Sequence, residues 1–281
     1  EPGTVGVLLR VRDLGLSLGR IEELRERIAA LRARGKRVVV HLRGADTRSL
    51  YLAAAADHVS LHPAGAVSFA GLASTTPFFA GTLATLGVRA EVVRIAEYKG
   101  AYEPYSETGF TEAVRENRRA ILDDVIVRLL ATVAAERPRI GKAARAAELL
   151  ERGLFPPGEA VTVGLADSVA DDDAIERTAA KLAGDDDLPV RKPDTSPRRA
   201  TRFHPRRVAV VLLDGAITQG SSRKLPIDDE GLVGDETIID ALDACRRDGG
   251  VGAVVLRVNS PGGSAVASDR IARAVKRLRD A

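Results

Sequence analysis

Short runs of β-branched residues alternate with helically periodic segments through most of this chain. That alternation narrows the fold to a largely parallel sheet covered by helices on both faces. Residues 5–11 read as a buried strand. Ile21, Leu24, Ile28 and Leu31 then recur at helical spacing, and Gly35 closes that helix. Residues 38–41 form the next strand, and a helix of small residues follows over 50–56. Strands are expected at 59–61 and 66–69, Pro77 is placed to open a helix, and 88–95 is again strand-like. A long helix is expected over 111–135, with Ile121, Val125, Leu129 and Val133 on one face. Further helices are expected over 143–152 and 174–182. The fold class is α/β.

The pattern breaks at residues 184–205, where Asp185-Asp186-Asp187, Lys192-Pro193, Pro197 and clustered arginines make a polar, proline-bearing stretch. Such a composition reads as a linker. Residues 1–183 are then one domain, and 206–281 the beginning of a second, incomplete one, with a strand over 208–213, a long loop over 215–234 and a buried strand over 251–258. The 42 basic and 39 acidic residues are interleaved along helices, as on solvated faces, so no nucleic-acid partner is expected. Cys245 is the only cysteine, which rules out a disulfide within the chain. His41, His58 and His62 lack the spacing of a zinc site, and no metal is expected. No apolar run reaches the length of a membrane helix. The chain begins at Glu1 and has no methionine, so it is expected to be a piece of a longer product, with any membrane attachment in a segment outside it.

An internal repeat refines this outline. Val5-Gly6-Val7-Leu8-Leu9-Arg10-Val11 matches Val251-Gly252-Ala253-Val254-Val255-Leu256-Arg257-Val258, and each run leads through a glycine-containing loop to Arg-Ile in a basic helix (Arg20-Ile21; Arg270-Ile271). Copy one continues into a strand at Gly35-Lys36-Arg37-Val38-Val39-Val40, whereas Ala281 falls inside the helix of copy two. The loop of copy one is about three residues shorter. Copy two carries Asn259-Ser260-Pro261-Gly262-Gly263-Ser264. Adjacent glycines between a strand and a helix serve either as a tight turn or as a close approach of backbone amides to a ligand oxyanion.

The chain prefers arginine to lysine, and against that background Tyr98-Lys99-Gly100-Ala101-Tyr102-Glu103-Pro104-Tyr105 stands out, with three of the four tyrosines. Lysine can lose its proton when desolvated and arginine effectively cannot. Lys99 is therefore either a general base or one half of an ion pair with Glu97 or Glu103.

The Tyr98–Tyr105 run resembles the YKSAxEPF segment of the signal peptide peptidase A family, in its double-length bacterial form. Gly153-Leu154-Phe155-Pro156-Pro157-Gly158-Glu159-Ala160 with Gly164-Leu165-Ala166-Asp167 resembles that family's G-R-V-[WF]-T-G-x-x-A…G-L-V-D stretch. Asp214-Gly215-Ala216-Ile217 with Asn259-Ser260-Pro261-Gly262-Gly263-Ser264 supplies a third match in the right order. The resemblance implies a Clp-protease/crotonase-like fold of repeated ββα units. It also implies a serine-type endopeptidase using a serine–lysine dyad without a cofactor. Its members form ring- or bowl-shaped homo-oligomers, anchored in the cytoplasmic membrane with the peptidase part outside the cytoplasm, and degrade cleaved signal peptides. Carried over residue by residue, Lys99 takes the general-base position, and Gly262 and Gly263 the oxyanion position. The family's nucleophile lies after the helix of copy two, in an A-S-G-G-Y context, which places it about 17 residues beyond Ala281 by the spacing of copy one. In copy one Arg48 takes that place and Ser49 is one position off, while Ser260 and Ser264 read as loop residues. The fragment would then be inactive alone. A crotonase-fold acyl-thioester enzyme and a non-catalytic assembly module are the alternatives.

Overall fold

The computed structural model describes residues 3–12, 14–192, 206–225 and 228–280. The chain divides into two compact units, Glu1–Lys192 and Pro193–Ala281. Of the expected linker, residues 193–205 lie outside the described residues.

The first unit opens with β1 (Gly6–Val11), α1 (Leu18–Ala33), β2 (Arg37–Leu42), β3 (Ala45–Asp46), α2 (Thr47–Ala54), β4 (His58–Leu61) and β5 (Val67–Phe69). After it come α3 (Ala80–Thr85), α4 (Glu103–Ser106), α5 (Glu112–Glu136) and α6 (Ala143–Arg152). The unit closes with β6 (Gly153–Phe155), α7 (Pro157–Thr162), β7 (Ser168–Val169) and α8 (Ala174–Leu182). Strands β1-β2-β4-β7 form one sheet, parallel throughout. A second, smaller sheet has the order β3-β5-β6. The pair β2–β3 sends one strand to each sheet before helix α2, and β4–β5 does the same. This is the ββα pattern of the expected α/β, Clp-protease/crotonase-like class.

The core lies where β2 and β4 meet α2 and α5. Val38, Val40, Leu42, Val59 and Leu61 are fully buried there, against Leu50, Leu129 and Val133. Periodicity located these helices but not all of their buried faces. Ile21 and Ile28 of α1 point inward, whereas Leu24 is 40% exposed and Arg25 only 6%. The Arg25 guanidinium lies 4.0 Å over the Tyr51 ring, pairs with Glu136 at 2.7 Å and Glu22 at 3.6 Å and donates to the Tyr51 carbonyl, so a well-partnered cation fills the place expected for leucine. Similarly, Ile121 of α5 faces solvent while Leu129 and Val133 are buried.

The Gly164-Leu165-Ala166-Asp167 motif has a structural role. Gly164 has φ +88°, and a Cβ there would sit 2.6 Å from the Arg139 Cβ. Leu165 fills the core. Asp167 accepts the Val59 amide at 2.8 Å and a bidentate Arg137 fork at 2.9 and 2.6 Å. Burial pushes the Asp167 carboxyl up, but Arg137 and the Val59 amide outweigh it and hold it below the usual range. Arg137, itself buried, also donates to the Gly164 carbonyl at 3.2 Å, fastening the end of α5 to the sheet.

Residues 88–95 form no strand, which corrects the sequence expectation. Val93 and Ile95 are 101% and 91% exposed. A β-branched run becomes a strand only where an edge offers it a hydrogen-bonding ladder, and no described strand pairs with these residues. The helix after Pro77 begins at Ala80.

The second unit contains β8 (Arg207–Asp214), β9 (Ala216–Thr218), β10 (Arg223–Leu225), β11 (Asp228–Gly234), α9 (Asp235–Arg247), β12 (Val251–Asn259) and α10 (Ala265–Arg279). β8 and β12 pair in parallel, and β10-β11-β9 form a second sheet. The stretch 215–234, read as one long loop, therefore holds three strands. Its serines, glycines and proline hid them: β9 and β10 have three residues each, and β11 carries acidic residues and glycines in place of a β-branched run. Fully buried Asp235 accepts the Gly220 amide at 2.8 Å and pairs with Arg270, tying this sheet to α9 and α10. β12 was expected to be buried, but within this unit only one face of the β8–β12 pair is covered: Val211 and Leu213 pack under the helices, while Val208, Val210 and Leu212 are about 60% exposed and Val255 and Val258 of β12 are 50% and 57% exposed.

Replacing Arg137 by Ala leaves the Asp167 carboxylate without its cation. It is expected to lower unfolding free energy by about 3 kcal/mol in urea titration; a loss near that of an ordinary surface substitution would refute the anchor. A second expectation concerns pH. His41 on β2 is 1% exposed, and burial lowers its pKa from the ordinary 6.5 although Asp172 works the other way. Burial lowers His58 in the same direction. The folded protein resists protonation of both rings more than the unfolded chain does, so stability is full above about pH 6.5 and falls as pH drops below it. Unfolding free energies at about pH 7.5 and about pH 5.5 should show this decline, with a smaller slope in His41→Gln; equal values in the unsubstituted protein contradict it.

Candidate active site

Lys99 lies in residues 86–102, an irregular stretch between α3 and α4, and its side chain is exposed. The stretch is nevertheless held against the start of α5 at several points. Tyr98 Oη donates to Glu116 Oε2 at 3.0 Å. Gly100 packs so closely on Val114 that a Cβ would fall 2.3 Å from Val114 Cγ2, which explains glycine beside the lysine. Glu103 is 2% exposed and accepts from the Thr111 amide at 3.0 Å, the Thr111 hydroxyl at 2.5 Å and Arg94 Nη1 at 3.2 Å. Burial pushes the Glu103 carboxyl up, but Thr111 and Arg94 prevail and hold it below its ordinary value.

Pro104 stands in the first turn of α4, where its fixed φ and missing N–H cost nothing. Its carbonyl accepts the Phe79 amide at 2.6 Å, and the Phe79 and Tyr105 rings stack 6.0 Å apart. Just before Tyr98, Ala96 has φ +66°, the only non-glycine positive φ among the described residues. Backbone strain of this kind, about 1 kcal/mol, persists only where neighbours hold the chain.

The lysine, Arg89, Arg94, Tyr102, Glu103 and Glu107 line one cavity of about 500 Å³. Lys99 forms no ion pair among the described residues. Of the two carboxylates the sequence offered it, Glu103 is taken by Arg94. Arg94 was not singled out from the sequence, because it lies inside the run read as a strand.

Gly262 and Gly263 lie in the second unit, between β12 and α10, with φ +105° and +152°. Ile217 reaches this turn from β9: its amide donates to the Gly262 carbonyl and its carbonyl accepts the Ser264 amide, both at 2.9 Å. A Cβ on Gly263 would lie 2.0 Å from the Ile217 carbonyl oxygen. The Gly262 amide donates to Ser260 Oγ at 3.1 Å, whereas the Gly263 amide has no acceptor among the described residues. Ser264 is the N-cap of α10, its Oγ accepting the Ala267 amide at 3.3 Å. In copy one, Ser49 is buried and spent in a capping box with Asp46, its Oγ accepting the Asp46 amide at 2.8 Å, and Arg48 is exposed.

Among the described residues no helix is long and apolar enough to cross a membrane. Protease 4 of Haemophilus influenzae is 28% identical over 297 residues, covering 99% of this chain and 47% of that protein. The chloroplastic serine protease SPPA of Arabidopsis thaliana is 24% identical over 288 residues, covering 99% of this chain and 42% of that protein. The chain thus spans about half the length of the curated relatives it matches. Among solved structures, a peptidase from Plasmodium falciparum aligns at 10% identity with a TM-score of 0.34, covering 60% of this chain and 81% of that one. The signature of peptidase family S49 matches residues 30–185, more than half of the chain and the stretch that holds Lys99 and its anchors. The chain belongs to peptidase family S49, the signal peptide peptidase A family that its motifs resemble.

Proposed function

We propose that this chain carries the general base and the oxyanion turn of a serine–lysine endopeptidase acting on extended apolar peptides, cleaved signal peptides among them, at the cytoplasmic membrane and outside the cytoplasm. The observation that carries the reading is an amine without an ionic partner among the described residues, lining a cavity in a chain of this family. Exposed Val93, Ile95, Tyr98 and Tyr102 on the same stretch give an apolar substrate something to lie against.

In the proposed reaction the unprotonated Lys99 amine takes the proton of a serine hydroxyl as the serine oxygen bonds to the peptide carbonyl carbon. The carbonyl oxygen becomes an oxyanion, for which Gly262 and Gly263 supply the amides. The Gly263 N–H suits this role because no described group competes for it. Collapse of the adduct breaks the C–N bond, and the Lys99 ammonium returns its proton to the leaving amine. Water, deprotonated by the same amine, then cleaves the acyl ester and restores the serine. A serine nucleophile partnering Lys99 and assembly into homo-oligomers are parts of the proposal that rest on the family likeness.

In the intact gene product, Lys99→Ala is expected to lower kcat on a chromogenic peptide ester about 1,000-fold. Undiminished turnover removes the base assignment. Gly263→Ala puts a methyl group against the Ile217 carbonyl and displaces the turn; it is expected to lower kcat about 100-fold with little change in KM. A rise in KM alone would place the turn in substrate binding and not at the reacting carbonyl.

A further inference from the structure

A general base must not be locked into an ion pair, because a neighbouring anion stabilises its protonated form. The cavity around Lys99 is rich in charge. Arg89, Glu91 and Arg94 approach from the stretch that precedes it, and Tyr102, Glu103 and Glu107 from in and around α4. Glu116 of α5 is engaged by the Tyr98 hydroxyl. Of the cavity-lining residues only Glu103 is buried. A carboxylate away from water would attract the amine more strongly than the exposed ones do.

Glu103 is already engaged. One of its oxygens meets Arg94 Nη1 at 3.2 Å and the Thr111 hydroxyl, and the other meets the Thr111 amide at 3.0 Å. Arg94 is half-exposed and cannot lose its charge, so this compensation persists at every pH the protein meets. The same contacts fix Glu103 at the start of α4, whose preceding turn carries Lys99: the Glu103 amide donates to the Gly100 carbonyl at 3.2 Å. One carboxylate therefore places the lysine-bearing turn, and one guanidinium keeps that carboxylate from capturing the amine.

We propose that Arg94 and Glu103 are the positioning pair of Lys99, with Arg94 occupying the buried carboxylate that would otherwise hold the amine as its ammonium partner. The role rests on the reading of Lys99 as a base, but its test does not require turnover. The probe is acetic anhydride, which acylates only the unprotonated amine. The measured quantity is the pH midpoint of Lys99 labelling, read by peptide mass spectrometry on the folded chain.

Arg94→Ala removes a cation and releases Glu103, so the midpoint is expected to rise by roughly 0.5 unit or more. Glu103→Gln keeps the shape and an acceptor for Thr111 while removing the anion, so the midpoint is expected to fall by a similar amount. Arg94→Lys restores the charge and is expected to return the midpoint most of the way to that of the unsubstituted protein. Arg94→Gln carries the same expectation as Arg94→Ala and replaces it if the alanine variant does not fold. A structural role alone would loosen the turn in both variants and move the midpoints together or not at all; either result overturns the proposal. Opposed shifts support it. Loss of turnover in Lys99→Ala together with unshifted labelling midpoints would leave the base reading standing and this pair refuted. Full turnover in Lys99→Ala with opposed shifts would do the reverse.

Discussion

A buried carboxylate without partners is costly, and Glu103 has three donors around it. That requirement organises the region around Lys99. Thr111 can donate its amide because it precedes the first turn of α5, where backbone N–H groups have no partner within the helix. The start of a 25-residue helix that is packed into the core at its far end thereby becomes the fixed point for an otherwise irregular stretch. Gly100 against Val114 and Tyr98 on Glu116 add contacts along the same helix. The turn is held from α5, so Lys99 can stay exposed and its neighbours can stay apolar and open without the backbone drifting.

The far end of α5 is fixed in the same way. Arg137 follows the helix, and its fork on Asp167 completes the hydrogen bonds of a second largely buried carboxylate while its Nε takes the Gly164 carbonyl. Asp167 in turn holds the Val59 amide at the edge of β4. α5 thus spans the distance between two acid–arginine contacts, one serving the site and one the sheet. Each family motif in this unit supplies one end: the acid of the YKGAYEPY run, and the acid of the Gly164–Asp167 run.

Much of this architecture is readable from the residues. The runs read as strands that became β1, β2, β4, β8 and β12 each have a parallel neighbour, and the helices over 112–136, 143–152 and 174–182 follow their periodicity almost to the residue. What escaped depends on partners distant in sequence. Arg25 is buried because Glu136 and Tyr51 come to it, and no spacing within α1 reveals that. Residues 88–95 have the composition of a strand but no edge to join. β9 and β10 are too short for alternation to mark them, and β11 is acidic and glycine-bearing where a β-branched run would be the signal. The conspicuous Lys99 could be found by composition alone, whereas Arg94, which decides what Glu103 is free to bind, carries no local signal.

The repeated strand–helix unit shows how one scaffold yields two kinds of turn. β1 reaches α1 through residues 12–17, and β12 reaches α10 through residues 260–264, so the connections are nearly equal in length. The three residues that separate the copies lie in the helix: Ile21 is three residues past the start of α1, and Ile271 six past the start of α10. The difference that matters is therefore one of backbone approach. In copy two, Ile217 crosses so near the turn that only glycine fits at position 263, and among the described residues the Gly263 amide has no acceptor. In copy one, the serine nearest the nucleophile's place caps its own helix and is buried. A hydroxyl committed to a cap is a poor nucleophile, and an uncommitted amide is a good oxyanion donor. Capping chemistry and glycine placement are enough to give two similar sequences different chemical capacities.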